Sequence, residues 1–120
     1  MFVILASGCH RANVALPASI VLKTGEHREI NGLTVTFVGV REDSRCPDNA
    51  RCVWAGNAAV QLRIEGGADS VATVLNTELD PKTIGVRDLS FRIESLMPYP
   101  RAGAPAATSH DLTLHVESLR

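Results

Sequence analysis

Short segments in which apolar and polar residues alternate constrain the fold of this chain more than any other feature. Successive side chains of a β-strand point to opposite faces, so a period of two lets a strand bury one face and leave the other in water. The segments with this pattern are 20–23, 33–41, 53–65, 70–77, 89–94 and 112–117. Sustained helical periodicity with caps is absent, and only residues 80–88 could hold a short turn of helix. We therefore predict an all-β fold, an antiparallel β-sandwich of about seven strands.

Glycine and asparagine mark the turns between these segments. Asn31-Gly32 is the strongest hairpin signal, because both residues tolerate the positive φ angles of a type I′ turn. Gly39 lies where the apolar positions change from odd to even numbers, which predicts a β-bulge or a strand that bends between sheets. Residues 98–109 are rich in proline and alanine and are expected to form a long irregular connection.

The composition of the chain excludes several classes of protein. With a formal net charge of −1 and 21% charged residues, the chain lacks the basic patch that binds nucleic acid or an anionic membrane surface. Hydrophobic residues make up 45%, which is ordinary for a globular domain and argues against disorder. No apolar run approaches the roughly 20 residues of a transmembrane helix. We expect one globular domain.

The N-terminal residues resemble the end of a secretory signal peptide followed by a lipidation site. Residues 1–8 are apolar and end in three small residues directly before Cys9. In bacterial lipoproteins with such a pattern the peptide is cut before the cysteine, which then carries the lipid. We divide the chain into a signal-peptide remnant (1–8), a lipidation site and tether (9–18) and a β-sandwich domain (19–120). The alternative is that residues 1–8 form a buried first strand and Cys9 is a free thiol.

The three cysteines divide into a pair and a single residue. Cys46 and Cys52 lie six positions apart with Pro47 between them, and no C-x-x-C motif or paired histidine stands nearby to complete a zinc site. We therefore favour a disulfide over zinc, and a disulfide requires an oxidising compartment. Trp54, the only tryptophan, is expected to pack over it. Lipidation of Cys9 accounts for the odd cysteine.

The segment around the cysteine pair resembles the motif of a bacterial family. Its residues are Asp43-Ser44-Arg45-Cys46-Pro47, followed by Cys52, Trp54, Gly56 and Ala58. This Asp-Ser-Arg-Cys-Pro…Cys-x-Trp-x-Gly pattern is similar to that of small exported domains, often described only as candidate lipoproteins. Gly25 before the second strand and Pro98-Tyr99-Pro100 before the last strand extend the resemblance over residues 18–120. The resemblance implies export, a β-sandwich and a disulfide, and it implies no activity.

The residues of this motif could serve either structure or recognition. Asp43 or Ser44 is expected to accept hydrogen bonds from loop amides, and Arg45 to pair with Asp43 or to lie across the Trp54 ring. A recognition role would make this rim of the fold a binding surface, whose candidate residues are Asp43, Arg45, Arg51, Trp54 and Tyr99. We favour the structural interpretation, because turn and disulfide chemistry explain most of the motif.

The remaining polar clusters do not form recognisable catalytic or metal sites. His110 and His115 are expected on opposite faces of a strand and are interpreted as two surface histidines. Ser109-His110-Asp111 cannot form a catalytic triad, because consecutive side chains on a strand diverge. The acidic loop residues lack the spacing of a calcium site; they are Glu42, Asp43, Asp48 and Asn49. We predict no catalytic residue, no metal and no cofactor.

These observations predict a non-enzymatic, exported domain that a lipid on Cys9 holds to a membrane. Its expected partners are that membrane and an envelope protein or ligand, and not nucleic acid. His10 replaces the aspartate that typically retains bacterial lipoproteins at the inner membrane, so the resemblance favours the outer membrane, facing the periplasm. The alternative function is protease inhibition, in which Arg45 or Arg51, both expected at the surface, would enter the specificity pocket of a protease.

Overall fold

The computed structural model of the protein describes residues 14–119. Within this range the chain forms eight β-strands: β1 Ala18–Lys23, β2 His27–Ile30, β3 Leu33–Asp43, β4 Ala58–Gly66, β5 Asp69–Asn76, β6 Thr83–Val86, β7 Leu89–Met97 and β8 Asp111–Ser118. They form two four-stranded sheets with the orders β1-β8-β7-β6 and β2-β3-β4-β5, in which all paired strands are antiparallel. The predicted all-β sandwich is confirmed, with one strand more than the seven expected. No helix in the described range is long and apolar enough to cross a membrane.

The core lies between the two sheets and consists of the apolar positions that alternate along the strands. Phe37 of β3 and Phe91 of β7 are its largest fully buried side chains. Val35, Leu62 and Leu114 are buried beside them. Burial of one side chain of this kind contributes about 1.5–3 kcal/mol, so the alternating pattern alone selects which face of each strand turns inward.

The predicted hairpin and bulge are both present. Asn31 and Gly32 have φ angles of 46° and 89° and connect β2 to β3. The pairing of β3 with β4 shifts register between Phe37 and Gly39, which confirms the bulge. Val38 is the extra residue within the bulge and faces outward, while Val40 beyond it packs against the core, so the bulge accounts for the change of parity in the sequence.

Three predictions about element boundaries are wrong. Residues 80–88 contain strand β6 rather than a helical turn, because Arg87 adopts a φ of 55° and turns the chain back to pair with β7. The strand expected over 53–65 begins only at Ala58, since the preceding residues belong to a loop. Ala18, assigned to the tether, is the first residue of β1.

One end of the sandwich, which we call the turn end, holds the hairpin turn at residues 31–32 and the turn at residues 87–88. Arg87 ties the two sheets together there by donating hydrogen bonds to the carbonyl oxygen of Gly66 and, at 2.9 Å, to Asp69. The first described residue is also held at this end, because Val14 and Asn31 exchange two hydrogen bonds of 2.6 and 3.1 Å. The chain therefore enters the domain at the turn end.

The opposite end, which we call the loop end, holds residues 44–57 and the irregular connection 98–110. β3 runs between the two ends, and its 11 residues span about 34 Å. The connection 98–110 contains no strand, as predicted from its proline and alanine content. All five residues of the predicted binding rim lie at or beside the loop end.

Candidate functional site at the loop end

The predicted disulfide between Cys46 and Cys52 is present and closes the loop that follows β3. Backbone hydrogen bonds from Ser44 N to Asn57 O and from Cys46 N to Ala55 O, at 2.7 and 2.9 Å, pair the two sides of this loop at its base. Because both loop cysteines are bonded to each other, neither is a free thiolate nucleophile. The loop, residues 44–57, is thus pinned both covalently and by its own backbone, and we call it the pinned loop.

Arg45 is buried, which contradicts the prediction that it lies at the surface. Only 6% of the residue is exposed. Its Nε and Nη2 donate to the two carboxylate oxygens of Asp43, each at 2.8 Å. Its Nη1 donates to Leu96 O at 2.5 Å and its Nη2 to Pro98 O at 2.9 Å. The guanidinium is drawn inward because these acceptors satisfy its charge and its donors inside the fold.

The Arg45–Asp43 contact joins the two sheets at the loop end. Asp43 is the last residue of β3 in one sheet, while Leu96 belongs to β7 in the other. Burial raises the pKa of the Asp43 carboxyl, but the hydrogen bonds and positive charge of Arg45 outweigh it and leave that pKa below its ordinary value. Asp43 also accepts from the Arg45 backbone N–H at 3.2 Å, the loop-amide contact that its sequence position predicted.

Tyr99 takes the place that was predicted for Trp54. The Arg45 guanidinium carbon lies 4.2 Å from the centroid of the Tyr99 ring, within the range of a cation–π contact. Tyr99 remains 45% exposed, so one part of its ring covers Arg45 and another part faces solvent. The Pro-Tyr-Pro segment therefore belongs to the same site as the Arg45 motif, although the two are far apart in sequence.

Trp54 does not pack over the disulfide, contrary to expectation. It is 82% exposed, and its neighbour Val53 is 90% exposed. They lie between Cys52, which is bonded to Cys46, and Ala55, whose carbonyl oxygen accepts from the Cys46 N–H, and we call these two residues the tip of the pinned loop. Arg51 lies within the disulfide-closed segment and is exposed, as predicted. The tip thus presents two apolar side chains to water on a constrained loop.

Gly56 permits the close backbone approach that shapes the pinned loop. Its φ is +74°, and a Cβ atom there would lie 1.9 Å from the carbonyl oxygen of Ser44. Only glycine fits such a contact, because a side chain would displace the opposing backbone. The Gly of the Cys-x-Trp-x-Gly motif is therefore required for the two sides of the loop to pair.

Asn57 is a structural residue of this end that the sequence analysis did not single out. It is 5% exposed, and its Oδ1 accepts from the backbone N–H groups of Glu78 and Leu79 at 2.9 and 3.1 Å. Its Nδ2 donates to Asn76 at 3.0 Å. These partners lie 19, 21 and 22 positions further along the chain, so no local sequence pattern marks Asn57. Asn57 fixes the pinned loop to the connection that follows β5.

His110 is not a surface histidine, which corrects the prediction for that residue. It is 9% exposed, and its Nε2 lies 3.8 Å from Asp43 Oδ2. Burial lowers the pKa of His110, the negative charge of Asp43 opposes this, and the net pKa lies below its ordinary value. Two hydrogen bonds with Thr24 hold the His110 backbone just before β8. The His110 N–H donates to the Thr24 hydroxyl, and the Thr24 N–H donates to the His110 carbonyl oxygen. His115, in contrast, contacts Glu117 and Glu94 on the outer face.

Two acidic residues of the loop end are paired with arginines. Asp43 pairs with Arg45, and Asp48 lies 3.4 Å from Arg101 at the surface. Among residues 14–119 no group of three or more histidine, cysteine, aspartate or glutamate side chains is placed to hold a metal ion. The arrangement offers buried ion pairing, a constrained apolar tip and a small cavity beside His110, which are features of a binding site.

Comparison with known proteins gives no family for this chain. It matches no protein-family model, no curated protein and no solved structure. The resemblance to small exported bacterial domains therefore stays a prediction based on the motif around Cys46 and Cys52. Cys9 and the signal-peptide remnant predicted over residues 1–8 lie outside the described residues.

Proposed function

We propose that this protein is an exported, non-enzymatic binding domain, anchored through a lipid on Cys9, that contacts an envelope partner with the tip of its pinned loop. The observation that carries the proposal is the exposure of Val53 and Trp54 on a loop held by a disulfide. Exposed tryptophan is a common centre of binding energy in protein interfaces. A loop that is already fixed loses little conformational entropy when it binds, so its apolar tip is suited to recognition.

The direction of the chain supports this assignment. The five Cα–Cα steps from Cys9 to Val14 span at most about 18 Å, and Val14 is held at the turn end. The pinned loop lies at the other end, about 34 Å away along β3. A lipid on Cys9 would therefore hold the turn end near the membrane and direct Trp54 away from it. The proposed partner is accordingly a protein in the aqueous compartment or on a facing surface.

The disulfide supports export. Disulfides persist in oxidising compartments such as the bacterial periplasm and are rare in the cytosol. The bond between Cys46 and Cys52 lies at the base of the surface assigned to binding, so an exported location and a binding role use the same structural element.

Site-specific photo-crosslinking in intact cells of the native host tests the proposal. A crosslinking amino acid at Val53 should give one discrete adduct, and Trp54→Ala should weaken it strongly. The matched control is a crosslinker at Leu119, which is also apolar and is 58% exposed but lies at the turn end. Equal adducts from both positions, or none from Val53, would contradict the assignment of the tip as the contact surface.

The structure gives little support to the alternative function, protease inhibition. Arg45 cannot enter a protease pocket while its guanidinium is bonded to Asp43 and to backbone carbonyl groups. Only Arg51 remains available on the pinned loop, and one exposed arginine is a weak reason to propose inhibition. We therefore retain the binding domain as the proposed function.

A further inference from the structure

A cavity of about 270 Å³ lies at the loop end, between the end of β3 and the connection 98–110. Its lining includes the apolar residues Val40, Tyr99 and Pro100. It also includes the polar side chains of Asp43 and His110. Cavities that bind drug-sized ligands begin at about 300 Å³, so this one suits a ligand of small-metabolite size. A mostly apolar lining with a few polar groups is the usual composition of such a site.

His110 is a buried polar side chain that faces this cavity without a hydrogen-bond partner for its ring. Within the described part of the chain, the nearest charged group to its Nε2 is Asp43 Oδ2 at 3.8 Å, too far for a direct hydrogen bond. No fully enclosed side-chain nitrogen or oxygen among residues 14–119 lacks a partner, so the ring nitrogens of His110 are not sealed off from solvent, and His110 is one of the residues that line the cavity. The imidazole is therefore accessible to a ligand, although only 9% of the residue is exposed.

The gap between His110 and Asp43 has the width that one bridging oxygen atom requires. An oxygen at an ordinary hydrogen-bond distance of about 2.8 Å from each group closes a triangle on this 3.8 Å edge. A hydroxyl group satisfies both partners at once, because its O–H donates to the carboxylate while its oxygen accepts from Nε2–H. Asp43 Oδ2 receives one hydrogen bond from Arg45, which leaves it capacity for a second.

The charges around the cavity favour a neutral ligand. Arg45 already balances the charge of Asp43, and burial lowers the pKa of His110, which disfavours its charged form. Glu42 is the remaining charged residue of the lining, and it is exposed to water. A cationic ligand would find Asp43 already paired, and a ligand with a carboxylate would meet two acidic side chains. An uncharged ligand with several hydroxyl groups and an apolar C–H face needs no free carboxylate partner and is not repelled by the two acidic side chains.

We propose that this cavity binds a single sugar ring, whose C–H face lies against Tyr99 and Pro100 and one of whose hydroxyl groups bridges Asp43 Oδ2 and His110 Nε2. Sugar rings combine an apolar face with hydroxyl groups at the edge. The apolar face suits the apolar residues of the lining, and a hydroxyl group suits Asp43 and His110. The assignment does not depend on export, on Cys9 or on the tip of the pinned loop. The protein would then carry two separate binding surfaces at its loop end.

Nuclear magnetic resonance of the histidine imidazoles tests this assignment on the isolated protein. Glucose, galactose, mannose and N-acetylglucosamine are titrated separately, and n-butylammonium is titrated as a cationic probe. At least one sugar should shift the His110 ring signals saturably, and n-butylammonium should not. No response of His110 to any of the four sugars, or tighter binding of n-butylammonium than of every sugar, would overturn the proposal.

Two variants locate the binding, with saturation-transfer signals of the sugar as the readout. His110→Phe keeps a ring in place but removes the bridging nitrogen, and Ala107→Trp fills the mouth of the cavity from an exposed position. Each should lower the affinity at least tenfold. In His110→Phe the sugar hydroxyl oxygen loses its Nε2–H donor, and in Ala107→Trp the indole occupies the space of the sugar. His115→Phe and Ala104→Trp, which lie outside the cavity, should bind like the wild type. Unchanged binding in both cavity variants would overturn the location.

Discussion

Arg45 and Asp43 face each other edge to edge, with Nε–Oδ1 and Nη2–Oδ2 distances of 2.8 Å each. The same guanidinium reaches the carbonyl groups of Leu96 and Pro98, so one side chain joins the end of β3 to the end of β7. Tyr99 covers it from outside. The Asp-Ser-Arg-Cys-Pro motif is thus first an attachment between the two sheets, and the pinned loop that carries Trp54 is built on that attachment.

Removing the guanidinium should destabilise the domain strongly. Arg45→Ala leaves the half-buried carboxylate of Asp43 and two carbonyl groups without their donor, and such a loss costs about 3–5 kcal/mol. Urea denaturation followed by far-ultraviolet circular dichroism measures this change, because the only tryptophan, Trp54, is already exposed in the folded domain. Arg101→Ala is the matched control, because it breaks an exposed ion pair with Asp48 and should cost less than about 1 kcal/mol. Similar costs for the two variants would show that Arg45 is not an attachment between the sheets.

The disulfide should contribute a measurable part of the stability. Replacing Cys46 and Cys52 together by alanine removes the closure of a loop with a sequence separation of 6. The chain-entropy model assigns about 2.4 kcal/mol to a loop of this size. The comparison of urea denaturation midpoints for the variant and the oxidised wild type measures it. Two free thiols at positions 46 and 52 in the folded, air-oxidised protein would contradict the bond itself.

Gly56 should tolerate no side chain. In Gly56→Ala the new Cβ meets the Ser44 carbonyl oxygen, and the loop must open at its base. Gly103→Ala is a close control, since Gly103 also has a positive φ, of 83°, but nothing lies within 4 Å of the added atom. The control should lose about 1–2 kcal/mol from backbone strain alone. Gly56→Ala should lose at least about 2 kcal/mol more, and equal thermal shifts in the two variants would refute the close contact.

Much of the fold could be predicted from the sequence because its cause is local. The apolar alternation of residues 33–37 and the Asn31-Gly32 turn each contain, within a few residues, the pattern that determines them. Strand β6 escaped prediction because its four residues are too few to show a period, and because the turn after it uses an arginine at positive φ rather than a glycine. Local patterns therefore identify long strands and glycine turns best.

The candidate site was less predictable because its cause is not local. The burial of Arg45 depends on carbonyl groups 51 and 53 residues further along the chain, and although Pro98 belongs to the Pro-Tyr-Pro segment, no local pattern shows that this segment contacts Arg45. The exposure of Trp54 depends on where the pairing of Cys46 with Ala55 ends, and a lone tryptophan by itself suggests burial. The pairing of Arg45 with Asp43 is one of the two contacts expected from the sequence, because the two residues are only two positions apart and their side chains can meet.

The stability of the domain should fall as the pH is lowered from 7 to 5, and His110 should contribute to this fall. Burial lowers the pKa of His110 in the folded state, with Asp43 and Asp111 opposing and Arg45 assisting. Below about pH 6.5 the unfolded chain therefore binds a proton that the folded chain resists, and stability is lost. Asp43, whose pKa is also lowered, adds a further loss below about pH 4.

The variant His110→Gln isolates this contribution. It removes the titrating group, so the unfolding free energy should change less between pH 7 and pH 5 than in the wild type. Chemical denaturation at several pH values in this interval gives both slopes. If the unfolding free energy changes equally with pH in the variant and the wild type, His110 has the same pKa in the folded and unfolded chain. That result would contradict a His110 pKa lowered by burial.

The central claim is that a lipid on Cys9 holds this domain to a membrane by its turn end and leaves the pinned loop free to bind. Intact-mass spectrometry of the protein isolated from the envelope of its native host tests it most directly. The account predicts a chain that begins at Cys9 and carries lipid on the sulfur and the α-amine of that residue, with Cys46 and Cys52 oxidised. A chain that still carries the residues before Cys9, with an unmodified thiol at that position, would contradict it.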